Sequence, residues 1–377
     1  MARGSVRRKD NGWSYRVDLG PDPATGERRQ VAKQGFRTRK AAEAALGDVL
    51  GAVAAGSVVS RSAATTTEFL EDWLASQQHR LRPTTLHSYT MAVARISGRL
   101  GKVPVQALTP LQIEKLYGDL LRGGGRDGRP LSAKTVRNSH VVLRKALSDA
   151  ERLGLVPRNA AAAAKPPTFS RPEFATWSSD DLRDFFVAIR GERIYTALVV
   201  LATTGMRRGE VLGLRWSDLD LDARQLSVVQ TLTAVNGHAV IGPTKTSRSR
   251  RTVYLDPQTT STLREHRKSQ REERLVAGPA WDATTDLVFR DEIGRPTHPD
   301  WFSREFARVA VASGAPPIRL HDLRHTFATL ALKAGVHPKV VSERLGHATV
   351  GITLDLYSHV TPAIARDAAD VVAKWIF

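Results

Sequence analysis

Cysteine is absent from all 377 residues. That excludes a disulfide framework, a thiol nucleophile and any cysteine-held zinc or iron-sulfur centre, and it suits a reducing compartment. No run of about 18 apolar residues occurs, and the start, "MARGSVRRKDNGW", lacks the apolar stretch of a signal peptide, so a cytoplasmic protein is expected. There is no G-x-x-x-x-G-K-[ST] loop for a nucleoside triphosphate and no His-Glu-x-x-His zinc pattern. Acidic residues are the scarcer sign of charge. Against 38 Asp and Glu stand 56 Lys and Arg, a net charge of +18 that favours a polyanionic partner, nucleic acid first among them. The hydrophobic share of 41% is ample for real cores, so the chain is not a disordered basic tail.

Local patterns divide the chain. "SVRRKD", Asn11-Gly12, "WSYRVDLG", a turn at "PDPATGE" and "RRQVAKQGF" read as a small three-stranded sheet, because Asn-Gly between alternating runs is a strong hairpin signal. A helix follows from "TRKAAEAALGDVL", with Thr38 as its N-cap. Arg16, Arg28 and Arg29 on this sheet either face phosphates or keep a sheet edge soluble. After the small-residue linker "GAVAAGSVVSRSAATTT", four segments carry helical apolar spacing behind a Thr, Ser or Pro start: "TTTEFLEDWLASQ", "PTTLHSYTMAVARISGRLG", "TPLQIEKLYGDLL" and "SAKTVRNSHVVLRKALSDAERLG". The last carries Lys134, Arg137, Arg144 and Lys145, either a solvated face or a grip on a DNA backbone. "NAAAAAKPPTFSRP" breaks the pattern and marks a domain boundary. Beyond it helices and strands mix: helices at "SSDDLRDFFVAIR" and "RIYTALVVLATTG", strands at "QLSVVQTLTAV", "HAVIGP" and "RRTVYL", then helices to the end.

Four stretches of this last region hold residues able to do chemistry. "ATTGMRRGEVLGL" stops a helix at Gly205 and restarts it at Arg207, joining an arginine to a helix N-terminus that can take an anion. Lys245, in "GPTKTSRSRRTVYL", reads as lying in the turn between two strands and is the only lysine between Lys165 and Lys268; unlike arginine it can transfer a proton. In "RLHDLRHTFATLALKAG", His321, Arg324 and His325 fall at i, i+3 and i+4 and share a helical face, with Asp322 as a helix N-terminal cap. A metal there would sit beside Arg324, which argues against one. "VHPKVVSERLGHATVGITLDLYSHV" places His347 after a helix-ending glycine, with Tyr357 further on beside Leu354 and Leu356. Alone, Tyr357 reads as a core residue and His347 as a surface one. Together the set can form one machine: arginines bind a phosphodiester, Tyr357 attacks phosphorus, His321 moves the phenol proton, Lys245 protonates the leaving oxygen and His347 hydrogen-bonds the phosphate. No metal, other cofactor or nucleotide is needed.

"TGMRRGE", "PTKTSRSRRTVYL", "HDLRHTFAT" and "LGHATVGITLDLYSHV", in this order, resemble the tyrosine recombinases of the phage integrase family. The resemblance implies catalytic roles for Arg207, Lys245, His321, Arg324, His347 and the nucleophile Tyr357, with Glu210 supporting the first arginine. It implies a multidomain, mainly α fold with small β-sheets: residues 1–60 as an arm-type DNA-binding domain of the lambda integrase kind, 61–165 as a helical core-binding domain, and 171–377 as a mixed α+β catalytic domain. Its tail would place Ile364, Ala368, Val371 or Val372 and Trp375 on one helical face that docks on a neighbouring protomer. The expected activity is site-specific integration and excision of phage or mobile-element DNA through a 3′-phosphotyrosyl intermediate. The implied partners are double-stranded DNA at core and arm sites, further copies of the chain in a tetramer, a host DNA-bending protein and a directionality factor, in a nucleoid-associated bacterial setting. Two alternatives stay open: a recombinase that resolves chromosome dimers, and a non-catalytic DNA-binding regulator on the same fold.

Overall fold

The structure is a computed structural model that describes residues 3–10, 12–21, 26, 28–54, 62–170, 175–244, 250–346, 349 and 351. Lys245, His347, Tyr357 and the tail expected to dock on a neighbour lie outside the described residues, as does Asn11. The chain divides into two compact units, Met1–Ser170 and Arg171–Phe377.

In the first unit β1 (Arg3–Lys9), β2 (Gly12–Pro21) and β3 (Arg28–Phe36) form an antiparallel sheet in sequence order, with Lys9 opposite Gly12 at the first hairpin. α1 (Arg39–Ala54) starts where the Ala41 amide donates to Thr38 Oγ1 at 3.2 Å, the expected cap. Strand alternation turns Tyr15 and Val17 inward with Ala42 of α1, and leaves Ser5, Arg7, Ser14, Arg16, Ala32 and Gln34 on the other face, since Ser5 pairs with Arg16, Arg16 with Ala32, and Ser14 with both Arg7 and Gln34.

The helical part of this unit comprises α2 (Thr66–Gln77), α3 (Pro83–Leu100), α4 (Pro110–Gly123), α5 (Ala133–Arg152) and the short α6 (Ala160–Ala163). Reciprocal capping boxes start α2 (Thr65 with Glu68) and α4 (Thr109 with Gln112), and Ser132 caps α5. Their apolar stripes close one core around Leu70, Ile96, Ile113, Leu116, Leu120, Val136, Leu143 and Leu147. Trp73 Nε1 donates to Asp149 at 2.9 Å, and Tyr117 Oη meets His140 Nδ1 at 2.6 Å, so α5 is tied to α2 and α4.

The second unit opens with α7 (Ser179–Ala188) and α8 (Tyr195–Thr204). α8 is apolar on nearly every side and almost wholly buried, which makes it the centre of the unit. α9 (Arg208–Leu212) follows, then β4 (Leu219–Asp220), β5 (Gln225–Val228), β6 (Gln230–Val235), β7 (His238–Pro243) and β8 (Arg251–Tyr254). α10 (Pro257–Ala277), α11 (Pro299–Ala312), α12 (Asp322–Lys333) and α13 (Pro338–Leu345) complete the described part. Trp177, Phe185, Leu198, Leu201, Phe302 and Phe306 lead the core.

Two strand expectations change. The stretch 225–235 is two strands in different sheets: β5 lies between β4 and β8, whereas β6 pairs with β7 through Asn236 and Gly237, both at positive φ (51° and 79°). Alternation does not give the break away, because Leu226, Val228 and Leu232, the buried positions, keep one phase. Among the described residues the strands on either side of Lys245, β7 and β8, therefore have separate partners and make no hairpin with each other. No described helix is long and apolar enough to cross a membrane.

Candidate active site

α8 ends in the left-handed Gly205, and Arg207, in extended conformation, is the N-cap of α9. α9 has only five residues, so its dipole adds little and the charge for an anion rests on side chains. Glu210, 5% exposed at its side chain, accepts from the Arg207 amide (3.0 Å) and Arg207 Nη1 (2.7 Å) through different oxygens. Its Oε2 also takes Arg251 Nη2 at 2.9 Å. Burial alone would push the Glu210 pKa up, but Arg251 and Arg207 overrule it and hold the carboxyl below its usual range, hence ionised. The neighbouring Arg208 turns away, donating to Pro299 O and Ser303 Oγ of α11, so the two consecutive arginines divide between site and scaffold.

Arg324, on the first turn of α12 and 4% exposed, enters from the other side. Its Nη1 donates to Gly205 O at 2.7 Å and its Nη2 to Leu345 O at 2.8 Å. Arg207 Nη2 reaches the next carbonyl, Gly346 O, at 3.1 Å. Arg207 and Arg324 thus converge on the end of α13, one residue before His347 in the sequence. Burial, then the charge of Arg207, lowers the Arg324 pKa, yet a guanidinium keeps its proton at neutral pH. Two guanidiniums bond this one carboxylate and a third, Arg324, feels its charge, and the uncompensated positive charge is what a phosphodiester passing through a pentacoordinate transition state calls for.

His321 directly precedes α12 with helical dihedrals, and its ring packs edge-on against His325, centroids 5.1 Å apart. One edge stays open to solvent while dense protein desolvates the rest, which together with Arg324 lowers the imidazole pKa. His321 is therefore neutral near pH 7 and able to accept a proton. Asp322 does not cap the helix as expected. It sits inside the first turn, 2% exposed, and accepts from the Arg319 amide (2.9 Å), Nε (2.9 Å) and Nη2 (2.8 Å), fixing the turn that presents His321.

The basic residues expected to meet DNA divide by environment. Lys134, Arg137, Arg144 and Lys145 are all exposed on α5, and the last three line a groove with Lys165. Arg16 stands on the open sheet face beside Arg7 and Lys9. Arg28 is bound instead to Asp18 through Nε at 2.8 Å, and the side chain of Arg29 lies outside the described part of the structure. Reading the sequence missed Arg251, Arg7, Lys9 and Lys165. Arg251 could have been found from strand phase, since it shares a face with Val253, which is buried.

Comparison with known proteins gives a consistent result. The phage integrase family matches residues 179–363, an arm DNA-binding domain matches 5–53, and the N-terminal SAM-like domain of phage integrases matches 65–121. The ICEBs1 integrase of Bacillus subtilis is 30% identical, covering 97% of this chain and 98% of the relative. Among solved structures, the Tn1549 transposon integrase in complex with transposon right end DNA covers 82% of this chain and 99% of its own, at 21% identity and a TM-score of 0.68. A lambda integrase tetramer bound to a Holliday junction covers 93% and 94%, at 19% identity and a TM-score of 0.57. These two structures share the fold. With its ordered motifs and an end-to-end relative, the chain belongs to the phage integrase family, the tyrosine recombinases, and is a site-specific DNA recombinase.

Proposed function

We propose that this recombinase is an integrase of a phage or mobile element that cuts and rejoins DNA through a 3′-phosphotyrosyl intermediate. Arg207 and Arg324 hold the nonbridging oxygens of the scissile phosphate, and His347 adds a hydrogen bond. The Tyr357 hydroxyl gives its proton to neutral His321 and attacks phosphorus. The new Oη–P bond replaces the bond from phosphorus to the 5′ oxygen, which leaves with a proton from Lys245. Attack by the 5′ hydroxyl of a partner strand reverses these steps and releases the tyrosine, so the phosphodiester is rebuilt without an external energy source. The observation that supports this reading is the convergence of Arg207, oriented by the buried Glu210, and of Arg324 on the carbonyls of Gly346 and Leu345, just before His347 in the sequence.

Residues 1–60 serve as the arm-binding domain, 61–165 grip the core site through the α5 groove, and 171–377 cut. Four copies act on paired sites, as in the lambda integrase tetramer. The arm domain favours integration and excision over dimer resolution, and DNA association makes the protein nucleoid-bound. The test is strand exchange between DNA molecules bearing the repeat that flanks its coding region. Recombinant product should form in chelator and without nucleotide. Cleavage abolished by chelator would mark a metal nuclease, and specific binding without cleavage a regulator.

A further inference from the structure

The last turn of a helix leaves carbonyls without intrahelical partners. At the end of α13 the carbonyls of Arg344, Leu345 and Gly346 each accept from a different arginine: Arg251 Nε at 2.6 Å, Arg324 Nη2 at 2.8 Å and Arg207 Nη2 at 3.1 Å. Two of these are the phosphate-binding pair. Arg251 has no part in that pair: its Nη2 holds the Glu210 oxygen that also accepts the Arg207 amide. It therefore links three things at once: the start of α9, the carboxylate that orients Arg207, and the end of α13. Gly346 has φ +66°, and a Cβ there would stand 3.2 Å from Arg251 Nη1 and 3.4 Å from Cζ. The guanidinium thus packs against the turn from which the chain continues to His347 and Tyr357.

We infer that Arg251 is a positioning residue for strand cleavage: it fixes Glu210, and through it Arg207, to the end of α13, so that the phosphate-binding arginines and the segment carrying the nucleophile share one register. This rests on the roles given above to Arg207, Arg324 and Tyr357. A lysine can bond Glu210 or the carbonyl but cannot span both in the plane of a guanidinium, and a methionine can do neither. Because Arg251 bonds Glu210 and the Arg344 carbonyl and is given no contact with the phosphate, its loss acts on the rate of chemistry and leaves DNA affinity in place.

The test uses the full chain on a nicked suicide substrate under saturating, single-turnover conditions. Arg251→Met should form the covalent adduct roughly 10–100-fold more slowly, the scale of a misplacement near 1 Å, with full final amplitude and a duplex Kd within about threefold of the parent. Arg251→Lys should fall between the two. Gly346→Ala, which leaves every charge in place but strains the left-handed turn and crowds the Arg251 guanidinium, should also slow the rate at full amplitude. A purely structural role predicts the reverse, reduced amplitude at an unchanged rate, and overturns the inference, as do parental rates in both Arg251→Lys and Gly346→Ala. Should Arg251→Met fail to fold, those two variants decide. An adduct that persists in Tyr357→Phe defeats the underlying reading instead, so the two failures are distinguishable.

Discussion

Glu210 sits where burial would neutralise an isolated carboxyl, and two arginines keep it charged. Removing that charge while keeping the shape leaves buried guanidiniums uncompensated, so Glu210→Gln should lose about 3 kcal/mol of stability, read from urea unfolding at pH 7. The Glu210 contribution is present above the ordinary carboxylate value and fades as acid protonates the group through its lowered folded value. The histidines, whose folded values are also lowered, act in the same direction but at higher pH. His325 is pushed down to about 4 by desolvation and the nearby His321. The unfolded chain then binds more protons than the folded one between about pH 6.5 and 4, so stability should rise with pH across that window. His325→Asn should flatten this slope, and an unchanged slope would deny His325 the role. Among residues, the fixed order of the motifs singled out Arg207, His321 and Arg324, and the structure brings Arg207 and Arg324 together at the end of α13. Arg251 was not legible, because one arginine among several in "SRSRR" looks solvated until strand phase is known. The capping expected of Asp322 went astray because the carboxylate turned back to Arg319, which composition does not reveal.

Helices were the readable elements: capping residues and apolar spacing gave α2 to α5 nearly to the residue. Strands were harder, since pairing is non-local and nothing in "QLSVVQTLTAV" states that its halves join different sheets. The short α9 depends on one such pairing. A Cβ at Gly209 would lie 2.5 Å from Thr231 Oγ1 and 2.7 Å from Leu232 O of β6. Gly209→Ala should therefore force α9 off β6 and shift Arg207, costing about 1–3 kcal/mol and lowering Tm. Adduct formation should fall with it, whereas a parental Tm and rate would show that α9 has room to spare.

For the whole molecule the surplus charge has a location. Residues 61–170 hold 17 basic against 8 acidic residues, and the α5 groove displays part of that excess. Replacing Arg137, Arg144 and Lys145 by alanine should weaken binding to all duplexes alike and lower the magnitude of the log K against log salt slope by about 0.9 for each phosphate that is no longer neutralised. An unchanged slope would move the core-binding surface elsewhere. Deleting the residues after His359 should weaken pairing of two sites more than binding to one, measured by gel shift; equal loss of both would remove the docking role of the tail. The central claim, that Tyr357 is the atom donor to phosphorus, is met most directly by digesting the trapped protein–DNA adduct and sequencing the DNA-linked peptide. The account predicts a 3′-phosphate linked to Tyr357, formed in chelator and lost in Tyr357→Phe. Linkage to another residue, or a 5′-phosphate linkage, would contradict it.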